Sequence, residues 1–369
     1  MTGSISFFDT YIAPGSFERV RAVLESGRLS EGALVAQFEK ALTDELGLAH
    51  PVTVNSGTSA LFLALVIAGV GAGDEVILPA QTFVASGLAI RQAGATPVFA
   101  DIDYTTGNID VASIERALTS RTKAVMPVHW AGLPVDMKPL RTLASTHGLR
   151  VIEDAAHALG ATYRGEVVGS GGDLTCFSFQ AIKHLTTGDG GAVCTPDPGG
   201  ASEARALRWF GIDREATMPS DLGERAYDLT TVGFKFHLND YAAALGLANL
   251  EGLSNRLEQR RAIAALYRRE LDDLDGLTVF AAPDDRESAC WLFGIHVERR
   301  EEFVRALAAA GVPTSVVHLA IDRYTIFGGA NAELAAQRRF DETQIHIPIH
   351  DNIGQEEAEF VVAAIRKGW

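Results

Sequence analysis

From Pro51 to Ile152 short apolar runs alternate with helical patterns, and this alternation is what most restricts the folds open to the chain. Val52-Thr-Val54 reads as a strand, Asn55–Ser59 as a turn, and the almost wholly apolar Ala60–Ala68 as a buried helix. The unit then repeats: strand Val76–Leu78 with helix Phe83–Arg91, strand Pro97–Ala100 with helix Val111–Leu118, strand Ala124–Val128 with helix Met137–Thr146, and strand Arg150–Ile152. Strands that are continuous apolar runs bury both faces, which calls for a mostly parallel sheet flanked by helices, an α/β architecture. Ahead of it, Phe17, Val20, Val23 and Leu24 share one face of a helix over Ser16–Ser26, and Val35, Phe38, Leu42 and Leu46 recur at helical spacing.

Beyond a polar, irregular region from Gly211 to Phe236, helices are expected over Asp240–Leu253 and Arg256–Leu271. A shorter module follows, with strands near Leu277–Phe280, Leu292–Val297 and Val312–Val316 and helices over Arg300–Ala310 and Glu356–Arg366. The expected organisation is a large α/β domain over 1–250 and a smaller C-terminal α+β domain over 251–369.

Charge and cysteine usage narrow the function classes. Net charge is −15, from 32 Lys+Arg against 47 Asp+Glu, so a nucleic-acid partner is not expected. No run approaches a membrane span and Met1-Thr-Gly-Ser-Ile-Ser lacks a basic leader pattern, so no membrane partner and a cytoplasmic location are expected. Cys176, Cys194 and Cys290 are scattered and read as reduced core residues; no metal-ligand spacing is present. Gly69-Val-Gly-Ala-Gly73 follows a helix and precedes a strand, the reverse of a dinucleotide loop, and reads as a helix-to-strand turn.

The chemistry gathers around Asp173–Cys194, where apolar strand patterns flank a lone lysine, Lys183, and a Thr-Thr-Gly-Asp-Gly-Gly turn. An ammonium there loses hydration and its pKa falls, which is what a Schiff-base lysine requires. Asn55-Ser-Gly-Thr-Ser59 follows a strand and opens a buried helix, so it is either a simple N-cap or a phosphate cradle in which Gly57 permits close approach and Ser56 or Thr58 donates a hydroxyl. Asp154 ends a central strand, where it either caps the following helix or faces a protonated pyridine nitrogen; His157 is either structural or a partner for the ring oxygen. Phe83 at a helix start is either core or a stacking ring. With Ser178 as a further phosphate donor, these residues form a consistent set for pyridoxal 5'-phosphate (PLP).

Six segments carry a resemblance over nearly the whole chain: Val54–Ala60, Gly73–Ile77, Ala95–Phe99, Val151–His157, Phe177–Lys183 with Thr187–Gly191, and Gly233–Asp240. The sequence resembles the DegT/StrS-type nucleotide-sugar aminotransferases, PLP enzymes of the aspartate aminotransferase fold. The resemblance implies that Lys183 is the Schiff-base lysine and proton shuttle, that Asp154 faces the pyridine nitrogen and His157 the ring oxygen, that Phe83 stacks, and that Gly57, Thr58 and Ser178 bind phosphate. It implies a homodimer with shared active sites, in which the segment around Lys235–Asn239 reaches the neighbouring subunit's phosphate. His237 stands where many relatives have Asn, and Phe210 where His is common. His318 and Arg323 lie where relatives contact the sugar nucleotide.

The implied reaction is transamination of a nucleotide-diphosphate keto sugar with glutamate as donor. The alternatives are a keto-cyclitol transaminase, a sugar dehydratase, or a non-catalytic PLP-binding regulatory protein. One branch of the family becomes a dehydratase by replacing the lysine with His; Lys183, followed by His184, favours aminotransfer. The loops Arg28–Gly32, Arg214–Arg225 and His318–Gly329 are expected to choose the sugar; their cations Arg28, Arg214, Arg225 and Arg323 either meet the diphosphate or are solvated surface groups.

Overall fold

A computed structural model describes residues 5–214 and 217–369. Met1–Ser4, and Glu215 and Ala216 within the Arg214–Arg225 loop, lie outside the described residues. Seven strands form the central sheet: β1 (Val52–Val54), β2 (Glu75–Pro79), β3 (Thr96–Ala100), β4 (Thr122–Val125), β5 (Arg150–Asp154), β6 (Leu174–Ser178) and β7 (Gly191–Cys194), in the order β1-β7-β6-β5-β4-β2-β3. Neighbours from β3 through β6 are parallel, and only β7 runs against its neighbours β6 and β1. The sheet is therefore mostly parallel, as the continuous apolar runs predict. Its topology brings the ends of β1, β5 and β6 and the start of β7 to one edge, and Gly191 pairs with both Val54 and Ser178 there.

Helices cover both faces. In chain order they are α1 (Ser16–Ser26), α2 (Ala33–Leu46), α3 (Gly57–Ile67), α4 (Val84–Gln92), α5 (Val111–Ala117), α6 (Met137–His147), α7 (Pro198–Arg208), α8 (Asp240–Leu250), α9 (Leu253–Leu271), α10 (Arg300–Ala309), α11 (Ala335–Thr343) and α12 (Gln355–Arg366). Helix α3 buries Ala60, Leu61, Leu63, Ala64 and Leu65 in a core shared with Val52, Val54, Cys176 and Val193 of the strands beneath. All three cysteines are free and buried. No helix among the described residues is long and apolar enough to cross a membrane.

A second, three-stranded antiparallel sheet holds β8 (Leu277–Val279), β9 (Phe293–Val297) and β10 (Gln344–Ile347), with β9 central. This corrects the expectation of a strand over Val312–Val316. Pro313 has no N–H to offer a ladder, and the segment pairs only where Ser315 and His346 exchange backbone bonds of 3.2 and 2.9 Å. The third strand is instead Gln344–Ile347, wholly buried and following α11 directly. Helices α7 and α11 are additions to the expected elements; Gly199 and Gly200 in the first turn of α7 hide its pattern, although Asp197 caps it through a 2.9 Å bond from the Gly200 amide.

Candidate active site

The edge where β1, β5 and β6 end opens into a cavity of about 290 Å³. It is lined by Ser56, Gly57, Thr58, Phe83, Asp154, His157, Ser178, Lys183 and His318, which the sequence reading singles out, and by Trp291, which it does not. The structure thus gathers residues from both sheets' modules. His237 and Arg323 do not line this cavity. His237 sits beside the end of β1, bridged to Val54, with its ring 4.5 Å from Trp209. Burial and then the Lys235 charge hold its pKa below the usual histidine value. Arg323 is exposed on the short turn Ile321–Arg323. Of the loop cations, Arg214 pairs with Glu31 at 3.3 Å.

The rim is the N-terminus of α3. Ser56 caps it, its hydroxyl accepting the Ser59 amide at 3.0 Å. Among the described residues the amides of Gly57 and Thr58 carry no hydrogen bond, so two donors and the positive end of the helix dipole are available to an anion. Gly57 is required by crowding. A Cβ there would come within 2.9 Å of Ser178 Cβ and 3.3 Å of its Cα, pushing helix and strand apart. Overpacking of this kind costs typically 1–3 kcal/mol, so Gly57→Ala is expected to weaken phosphate-cofactor binding roughly 10- to 100-fold. Titrating the cofactor-free variant with PLP by absorbance checks this.

The wall is Asp154, only 6 % exposed. Its Oδ2 accepts the Ser86 hydroxyl at 2.7 Å and its Oδ1 the Ala156 amide at 3.1 Å. Burial nevertheless raises its pKa, against those hydrogen bonds and the Lys183 charge. No helix directly follows β5, so the helix-cap alternative does not apply; the carboxylate instead accepts the Ala156 amide in the turn that follows while lining the cavity. His157 is buried and its pKa falls well below the usual value, first through burial and then through Lys183, so it is neutral at pH 7. Among the described residues its Nδ1, itself closed to solvent, has no hydrogen-bond partner. His318 is lowered to about 4, by burial and then by Lys183, and its ring lies 4.9 Å from that of Phe83. Phe83 keeps 51 % of its surface open at the cavity.

Lys183 occupies the floor, on the loop between β6 and β7, with its amide bonded to Gln180 O at 2.9 Å. Among the described residues its Nζ makes no hydrogen bond or ion pair; it lies 3.6 Å from the centre of the Trp291 ring. Desolvation lowers its pKa to about 7, with Asp154 opposing. In cofactor-free protein, the rate of acylation at Lys183, followed by peptide mass, is therefore expected to rise through a midpoint near pH 7, where an exposed lysine would still be charged.

These features fit PLP. An unpaired helix N-terminus suits its phosphate, the buried Asp154 carboxylate its pyridine nitrogen, the neutral His157 imidazole on the cavity lining its ring oxygen, the half-open Phe83 ring its face, and the desolvated Lys183 amine its aldehyde. The sequence model of the DegT/DnrJ/EryC1/StrS aminotransferase family matches residues 11–366. The chain is 38% identical over 367 residues to the spore coat polysaccharide biosynthesis protein SpsC of Bacillus subtilis, covering 96% of this chain and 94% of that protein. It is 35% identical over 353 residues to the GDP-perosamine synthase of Caulobacter vibrioides, covering 91% of this chain and 90% of the synthase. The crystal structure of the sugar aminotransferase CalS13 from Micromonospora echinospora superposes with a TM-score of 0.93 at 36% identity, over 99% of this chain and 100% of that one.

Proposed function

The chain belongs to the DegT/DnrJ/EryC1/StrS aminotransferase family and is a PLP-dependent sugar aminotransferase, and from that premise we propose that it converts a nucleotide-linked keto sugar to the amino sugar with glutamate as donor. The observation that carries this reading is the unpaired Lys183 amine on the floor of a cavity that also holds a free helix N-terminus and a buried carboxylate. The GDP-perosamine synthase among the relatives supports the nucleotide-sugar part.

Bound PLP supplies an aldehyde carbon that exchanges one amine for another and a ring that withdraws electrons from the carbon bearing the amine. The chain's own residues do the rest. The amides of Gly57 and Thr58, with the Ser56, Thr58 and Ser178 hydroxyls, bind the phosphate. Phe83 covers the ring face. The Asp154 carboxylate, disfavoured as an isolated buried charge, is stabilised by a cationic N–H and keeps that nitrogen protonated. Neutral His157, on the cavity lining, offers a ring nitrogen to the ring oxygen. With a pKa near 7, Lys183 Nζ takes the donor's α-proton as the free amine and returns it as the ammonium, a matched acid and base. His318 at the cavity wall and Arg323 beyond it receive the sugar nucleotide.

The reading includes a homodimer with shared sites, a cytoplasmic location, a cofactor-binding domain over 1–250 and a small domain over 251–369. Exposed apolar side chains on the segment leading to His237, namely Phe210, Leu222, Tyr227, Leu229 and Val232, support a second copy covering that surface. Glutamate alone is expected to bleach the cofactor band and release 2-oxoglutarate. Nucleotide-linked keto sugars are then expected to restore the band and yield an amino sugar by mass. Turnover confined to a keto-cyclitol, loss of a hydroxyl without gain of an amine, or cofactor binding with no half-reaction would each replace the proposed function with a different one.

A further inference from the structure

Trp291 belongs to the strand-bearing C-terminal module, yet it is 1 % exposed and lines the cavity beneath Lys183. Two hydrogen bonds tie its segment to the residues on either side of the lysine. Trp291 Nε1 donates to Ile182 O at 3.0 Å, and His184 Nε2 lies 2.9 Å from Ala289 O. The segment is itself pinned from beneath, with the Ala289 amide on Gly132 O at 3.0 Å and the Trp291 amide on Ala131 O at 3.0 Å. Gly132 (φ 98°) allows this approach, since a Cβ there would meet His157 O at 2.9 Å and Cys290 N at 3.0 Å.

The indole is used on both faces. The His157 ring is stacked on it at 3.7 Å and 15°. Lys183 Nζ is 3.6 Å from the same ring's centre. An approach in the ring plane at that distance would overlap ring atoms, and the face under the imidazole is taken, so Nζ occupies the opposite face. An ammonium over an indole face is attracted by the ring quadrupole, most strongly where water is excluded.

We propose that Trp291 is a positioning residue for Lys183 when the lysine is free of the cofactor, its second face holding Nζ in the ammonium form between the steps in which Nζ acts as the free amine. This rests on the reading of Lys183 as the Schiff-base lysine. A transaminase frees that lysine once per half-reaction, and a long, unpaired side chain would otherwise sample the whole cavity. The indole gives it one resting place, next to its own backbone, from which it swings back to the reacting carbon. It also offsets part of the desolvation that drives the amine towards its neutral form. The other titratable groups around Nζ are Asp154 and Asp189 on the cavity wall and His157, His184 and His318. Burial holds all three histidines neutral well below pH 6.5, so they do not titrate in the window where Lys183 does.

The test drains the ring face without changing its shape. Full-length protein is produced with tryptophan replaced by mono-, di- and trifluorotryptophan, freed of PLP, and the pH midpoint of Lys183 acylation is read by peptide mass. The midpoint is expected to fall with each added fluorine, by about one unit, or tenfold in the ammonium's stability, across the series. In Trp291→Phe protein the same fluorination of the other tryptophans is expected to leave the midpoint unmoved. A midpoint that stays constant or rises across the wild-type series overturns the proposal. Should Trp291→Phe fail to fold, wild-type indole emission is compared with Lys183→Met: a transition at the lysine midpoint that vanishes in Lys183→Met supports the contact, and its absence from wild type overturns it. Borohydride reduction of the PLP-loaded enzyme keeps the two readings apart. Cofactor mass on a residue other than Lys183 defeats the lysine assignment, whereas mass on Lys183 with an unmoved midpoint defeats only the role of Trp291.

Discussion

Lys183→Ala is expected to retain PLP binding while losing at least about 10⁴-fold in turnover, because one substitution removes both the amine that releases product and the group that carries the α-proton. The fold should tolerate the change. Nζ makes no hydrogen bond or ion pair among the described residues, so its removal leaves no hydrogen-bond partner unsatisfied, and the loop keeps its bonds through Ile182 and His184. Steady-state amino-sugar formation gives the rate. Added small alkylamines are expected to restore part of it, since a soluble base can enter the space the side chain vacates. A variant that turns over at the native rate would remove Lys183 from the reaction.

Asp154→Asn is expected to cost about 10²–10³-fold in kcat with a smaller change in substrate KM. The side chains are nearly isosteric: the Ala156 amide can still meet the side-chain oxygen, and the Ser86 hydroxyl can turn to accept from the new NH2. What disappears is the negative charge. Burial already presses on that charge in the protein alone, raising its pKa. The sign follows: with a folded pKa above the unfolded one, Asp154 lowers stability as pH rises from the unfolded value through the folded one. Asp154→Asn is thus expected to be at least as stable as wild type without cofactor at pH 7, by thermal melting, while being far less active. Retention of kcat within tenfold would put the ring nitrogen's partner elsewhere.

What could be read from the sequence was local. The Lys183 loop announces itself because apolar strands and glycines flank a cation within twenty residues, and β6 and β7 pair directly around it. Ser56-Gly-Thr58 is legible because a cap, a helix start and the preceding strand are contiguous. Trp291 was not, because its relation to Lys183 depends on a left-handed Cys290 (φ 51°) and on bonds to residues 131 and 132, none of which leaves a periodic signature. In the small sheet two strands were legible and the third was not. Val312 and Val316 bracket a Pro-Thr-Ser stretch that offers little to a ladder; β10 completes the sheet on β9, and only Ser315 pairs beside it. Helix α7 was masked by propensity, its first turn carrying two glycines that a cap and tertiary packing override.

The clamp of Ala289 and Trp291 on Ile182 and His184 also has a consequence for the order of events during synthesis. The lysine leaves the ribosome roughly a hundred residues before the indole that closes its pocket, which at about 5–20 residues per second is a gap of many seconds. During that interval the β6–β7 hairpin can form, since its strands are neighbours in the chain, but its amine lacks the Trp291 wall, stays hydrated and mostly charged, and reacts only slowly with aldehydes. Capture of the cofactor is thereby tied to near-completion of the polypeptide, and truncated chains are born without the means to sequester it.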